Sequence, residues 1–171
     1  MHILIALGIS IGVLAGVLIV VEYLFSLIGI AALAVTTWPG FVAWACYFAV
    51  GGKKEGLIKT LAANTAGILV AMLIVILAGL FAFMGHPIGL AIAVVIGAVI
   101  LVVQAFWKHL SYIPGAFCGC AVGFGFIAFG THAFGDGGLE SMISLMLSMW
   151  IGALFAFASD IWGNAMAKKA D

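Results

Sequence analysis

The chain has 171 residues, of which 67% are hydrophobic and 7% charged, with six basic and six acidic side chains balancing to a net charge of zero. A soluble domain carries about a quarter of its residues as charges, so a water-exposed globular surface is excluded. With no excess of basic charge, electrostatic capture of nucleic acid is excluded as well.

Such a composition is soluble only in lipid, and continuous apolar runs argue for helices rather than a barrel of short alternating strands. Taken in chain order, the runs predict spans over 3–21, 57–83, 88–107, 112–130 and 139–163. A further apolar stretch, 23–50, carries Pro39 inside it and reads either as one broken helix or as a re-entrant piece followed by a short one. The first run lacks a small-residue cleavage site behind a short core, so it is expected to be retained rather than removed as a signal peptide.

Lysine marks the cytoplasmic side of a membrane protein. Placing "GGKKEGLIK" (51–59) inside sends the lysine-free turn "MGHPIG" outside, returns Lys108 of "WKHLS" inside, sends "THAFGDGG" outside and brings "AMAKKAD" back. Both termini then lie in the cytoplasm and the chain is expected to cross six times. The expectation is an all-α integral membrane protein, one transmembrane domain over 1–171 whose halves, 1–83 and 84–171, form a 3+3 inverted repeat. In each half the second helix carries a Pro-Gly pair, Pro39-Gly40 and Pro114-Gly115. Mid-helix proline would free carbonyls near residues 35 and 110 and so create paired helix breaks near the midplane.

Glycine recurs at four-residue spacing twice, as Gly8/Gly12/Gly16 and as Gly115/Gly119/Gly123. Each series makes a smooth helix face, suited to close helix packing or to a narrow pore wall. Polar residues within apolar runs are few and each is a candidate by default: Asn64, Thr65, Gln104, Ser144 and Ser148 as solute contacts or interhelical hydrogen-bond partners. Glu22 and Asp160 are the ionisable candidates, expected near the membrane interfaces, and His86 and His132 are candidates for an outer vestibule. Several of the five tryptophans fall near predicted membrane ends, as interface anchors do. The cysteines, Cys46, Cys118 and Cys120, lie in apolar segments, where free thiols pack as small hydrophobes. No nucleophile elbow, metal-ligand helix or phosphate loop is present, so neither an enzyme, a metal nor a cofactor is expected.

The stretch "WPGFVAWACYFAVGG", the lysine-bearing loop after it and the "AANTAG" of the third span resemble a family of small bacterial inner-membrane proteins of unknown function. That resemblance implies the bacterial inner membrane and carries no functional residue. Three plus three inverted helices are also similar in architecture to aquaporins, formate–nitrite channels and half of a urea transporter, although the asparagine-proline-alanine pair of aquaporins is missing. The sequence therefore leads to a channel or facilitator for a small uncharged or weakly ionised solute, such as urea, ammonia or a short carboxylic acid, working as a homo-oligomer, with a trimer by analogy. The competing readings are a non-transporting membrane scaffold and an ion-coupled small-solute transporter.

Overall fold

A computed structural model describes residues 2–29, 35–128 and 139–168. Among the described residues six α-helices run in order: α1 (Ile3–Ile28), α2 (Thr37–Ala49), α3 (Lys53–Leu80), α4 (His86–Val103), α5 (Ile113–Ala128) and α6 (Leu139–Lys168). Among the described residues, four segments are long and apolar enough to cross a membrane: Ile3–Ile28, Lys53–Leu80, His86–Phe106 and Met142–Ala167. The protein is therefore a multi-pass membrane protein associated with the lipid bilayer.

The two remaining helices are short. α2 has 13 residues and α5 has 16, or roughly 20 and 24 Å at the rise of an α-helix, less than the roughly 30 Å of a hydrocarbon core. Both begin at the Pro-Gly pairs, which corrects the expectation of helices broken at those sites. Pro39 is the third residue of α2 and Pro114 the second of α5. Backbone N–H groups in a first turn have no intrahelical acceptor, so proline there removes nothing and starts a helix rather than interrupting one. The interruption before α5 lies upstream, in two 3-10 turns at Gln104–Phe106 and Lys108–Leu110.

α6 packs along α1 and α2, and α3 packs along α4 and α5, with α3 and α6 touching between them. Small residues set these distances. A Cβ on Gly152 of α6 would fall inside the Gly40 backbone of α2, and one on Gly67 of α3 inside the Ala116 backbone of α5. A Cβ on Gly119 would come within 2.8 Å of the Asn64 Cα, and one on Gly123 within 2.7 Å of the Ala71 Cβ. The glycine face of α5 thus serves helix contact. Gly8, Gly12 and Gly16 differ: no neighbouring atom lies within 4 Å of the position a Cβ would take, so this stripe faces outward.

The core is apolar and shared by several helices. Ala43, Ile68, Val122, Leu145, Met149 and Ala153 form one cluster drawn from α2, α3, α5 and α6. Trp44 departs from the expected anchoring role, being buried with Leu18, Tyr47 and Ala156 and tilted against Phe155 at a ring separation of 6.3 Å. Trp38, Trp107, Trp150 and Trp162 are exposed.

Candidate functional site

The centre of the bundle holds polar side chains without partners. Asn64 is 1% exposed, and neither its Oδ1 nor its Nδ2 meets a hydrogen-bond partner. One turn earlier on α3, Thr60 is fully buried with its Oγ1 equally unpartnered. Residues 60, 64 and 67 share one helix face, and Asn64 and Gly67 place that face directly on the glycine side of α5. Sequence reading found Asn64 and missed Thr60. The usable signal was its position one turn before an intramembrane asparagine.

Desolvating an amide or hydroxyl without compensation costs about 1–3 kcal/mol per group. Apolar packing around α3 and α5 sustains this, because Ala63, Val70, Ala71, Ile74, Ala116 and Cys120 form a continuous cluster there. α5 packs against the Asn64 backbone at Gly119, and the Asn64 amide itself is buried.

The other candidates divide between structural bonds and separate places. Thr65 turns to α6, its Oγ1 accepting from the Trp150 indole N–H at 2.8 Å. Gln104 is buried just beyond the end of α4, where its Nε2 donates to the Leu101 carbonyl at 3.1 Å. Ser144 and Ser148 are fully buried on α6. The Ser148 hydroxyl donates to the Ser144 carbonyl at 2.8 Å and accepts from the Thr36 N–H at 2.9 Å. Ser148 therefore belongs to the entry of α2. Gly40 packs on α6 beside it, while Gly115 lies against Ala63 and Tyr112. His86 opens α4 and is exposed; His132 lies outside the described residues.

Both acids act at helix beginnings. Glu22 of α1 accepts from the Thr37 N–H at 3.0 Å and from the Thr37 hydroxyl, so a carboxylate neutralises the positive end of α2. Asp160 of α6 accepts from the Tyr47 hydroxyl at 2.7 Å and from the Lys53 N–H at 3.4 Å through Oδ2, and from Asn164 Nδ2 at 2.7 Å through Oδ1. It thereby secures the α2–α3 turn, where Gly51, Gly52 and Lys53 all have positive φ (101, 66 and 59°). A solvated interfacial position, as expected for both acids, understates these contacts.

Two further arrangements were not legible in advance. Ser10 of α1 donates to the Ser159 carbonyl of α6 at 2.9 Å, a buried interhelical bond. Cys46 of α2 and Cys118 of α5 stand near one another, with Tyr112 beside Cys46.

A bundle of this kind, with an apolar outside and a few unsatisfied polar groups at its centre, defines a small polytopic membrane protein. Residues 8–164 match the family model described as protein of unknown function (DUF1097), and the chain belongs to that family. It is also 35% identical over 89 residues to the uncharacterized protein YahC of Escherichia coli (strain K12), a match covering 50% of this chain and 53% of that protein. No solved structure matches the chain.

Proposed function

We propose that the protein is a facilitator of a small uncharged solute across the bacterial inner membrane, with the solute passing between α3 and α5. The observation that carries this reading is Asn64: an amide with both polar ends unpartnered and 1% exposed, on a residue whose backbone meets α5 at Gly119. Intramembrane polar groups that satisfy no structural bond are costly and mark solute paths. The described conformation is the closed one, and opening requires α5 to move off the α3 face. Glycines make that face smooth, with backbone rather than side chains passing the solute.

A 3+3 inverted repeat is part of the proposal. The α2–α6 contact at Gly40 and Gly152 has a counterpart in the α5–α3 contact at Ala116 and Gly67, and the α1–α6 pair has a counterpart in α4–α3. Exchanging α1, α2 and α3 with α4, α5 and α6 relates these two pairs of contacts, which supports the repeat. In this reading α2 and α5 count as crossings alongside the four long helices, giving six. The turn that carries Lys108 packs against α3, the helix whose first turns hold Lys53, Lys54 and Lys59, which supports a single lysine-rich cytoplasmic face with both termini inside. The unpartnered Gly8/Gly12/Gly16 stripe supports a homo-oligomer, for which a trimer remains the proposed state.

A second reading, an ion-coupled transporter, draws on Glu22. Its carboxylate holds the α2 entry, so protonation would weaken the Thr37 contact and couple a proton to helix movement. Stopped-flow light scattering on proteoliposomes, with urea, glycerol, ammonia, formate and acetate, tests the main reading. Gradient-independent flux of a neutral solute above the empty-liposome rate supports it. Flux that appears only with an imposed proton gradient replaces it with the coupled reading.

A further inference from the structure

Resting on that reading, we infer that the α3–α5 site takes a small planar primary amide, the chemical class that includes urea and acetamide. Asn64 presents an unused acceptor, Oδ1, and an unused donor group, Nδ2, and Thr60 adds a hydroxyl capable of both one turn away. A complementary ligand must therefore donate and accept within a few ångströms. A primary amide does both through one rigid group, and pairs with an asparagine amide as such amides pair with each other.

Charge argues against the neighbouring classes. Lys53, Lys54 and Lys59 lie at the start of α3 and Lys108 in the turn before α5. Lys59, beside Thr60, is paired with Glu55 at 2.8 Å, so a carboxylate at Asn64 would be a buried anion without a free counter-charge, which is strongly disfavoured. Ammonium would need an anion, and the carboxylates of Glu22 and Asp160 are engaged at the beginnings of α2 and α3. Shape adds to this. Gly119 brings its backbone against Asn64, with Gly115 and Gly123 one turn to either side, so the α5 wall is flat. A planar ligand needs the helices to part by only about one van der Waals thickness, roughly 3.5 Å.

The test is saturation-transfer NMR on the purified full-length chain in lipid nanodiscs, with acetamide as probe and acetate and acetone as controls of matched shape. Acetate is charged, and acetone only accepts. The expected result is saturable acetamide binding with neither control binding. Asn64→Leu should weaken acetamide binding about tenfold, the loss expected for hydrogen bonds to a desolvated amide, and Thr60→Val should weaken it less. Each variant is first shown to be folded by size exclusion; should Asn64→Leu not fold, Thr60→Val carries the comparison. Saturable acetone or acetate binding equal to that of acetamide overturns the assignment. So does the absence of saturable acetamide binding, or binding unchanged in the folded variants. Flux of ammonia or glycerol without acetamide binding would remove the amide assignment and leave the facilitator. Acetamide binding without flux of any solute would do the reverse.

Discussion

The Tyr47 hydroxyl donates to Asp160 Oδ2 at 2.7 Å, joining the end of α2 to the last third of α6. The same oxygen accepts the Lys53 N–H at 3.4 Å, so one carboxylate holds both sides of the α2–α3 turn. Lys53 keeps a φ of 59°, uncommon for a lysine, in a turn fixed by this bond and its two glycines. Tyr47→Phe removes a single bond to a charged acceptor and should cost about 1.5 kcal/mol. Asp160→Ala leaves the tyrosine and the Lys53 N–H without their acceptor and should lower the melting temperature in detergent further. A larger shift for Tyr47→Phe than for Asp160→Ala would refute the clamp.

Glu22 separates the facilitator from its coupled rival. Glutamine keeps an acceptor for the Thr37 N–H, while alanine removes the α2 cap, a loss of about 1 kcal/mol. A facilitator should therefore conduct with Glu22→Gln at nearly the wild-type rate and lose stability with Glu22→Ala. Loss of flux in folded Glu22→Gln protein would show that the proton on this carboxylate matters.

The two proline variants should be mild and alike. Pro39 and Pro114 sit in first turns, where alanine disturbs no intrahelical bond, and each replacement should change stability by less than about 1 kcal/mol. A severe defect in either, seen as loss of the monodisperse peak on size exclusion, would mean that the ring packs in a way alanine cannot replace.

Glycine substitutions should sort by which face they occupy. Gly152→Val and Gly67→Val drive a side chain into the backbone of a neighbouring helix, and overpacking of that kind costs at least about 1–3 kcal/mol. A Cβ at Gly12 meets nothing within 4 Å, so with Gly12→Val the protomer should fold and any change should appear in the mass of the native assembly. Destabilisation by Gly12→Val equal to that by Gly152→Val would place the α1 stripe inside the protomer.

Class and helix number were readable because composition and uninterrupted apolar runs report directly on lipid solubility. Boundaries at the prolines were not. A Pro-Gly pair inside an apolar run has the same local sequence whether it kinks a helix or starts one, and only the packing of α2 on α6 and α5 on α3 decides. The site was partly legible for the same reason. Asn64 stands out as an amide in a hydrophobic run, but Thr60 does not, since threonine often satisfies its hydroxyl on its own helix. Thr65 and Ser148 look equivalent to Asn64 in sequence, yet they bond to Trp150 and to the Thr36 N–H, because helix rotation sends them to other neighbours. Glu22 and Asp160 were flagged as charges, while their roles at the starts of α2 and α3 depend on chain separated by 15 and 107 residues.

Passage between α3 and α5 is the central claim, and a reversible staple across those helices tests it. The Gly123 Cβ position lies 2.7 Å from the Ala71 Cβ, so Ala71→Cys with Gly123→Cys reaches disulfide spacing, about 3.8 Å between Cβ atoms, with a shift of roughly 1 Å. Native Cys46, Cys118 and Cys120 are first replaced by alanine in a background shown to retain flux. Oxidation, verified as a formed disulfide by mass, should stop solute flux in proteoliposomes, and reductant should restore it. Undiminished flux through fully stapled protein would contradict it.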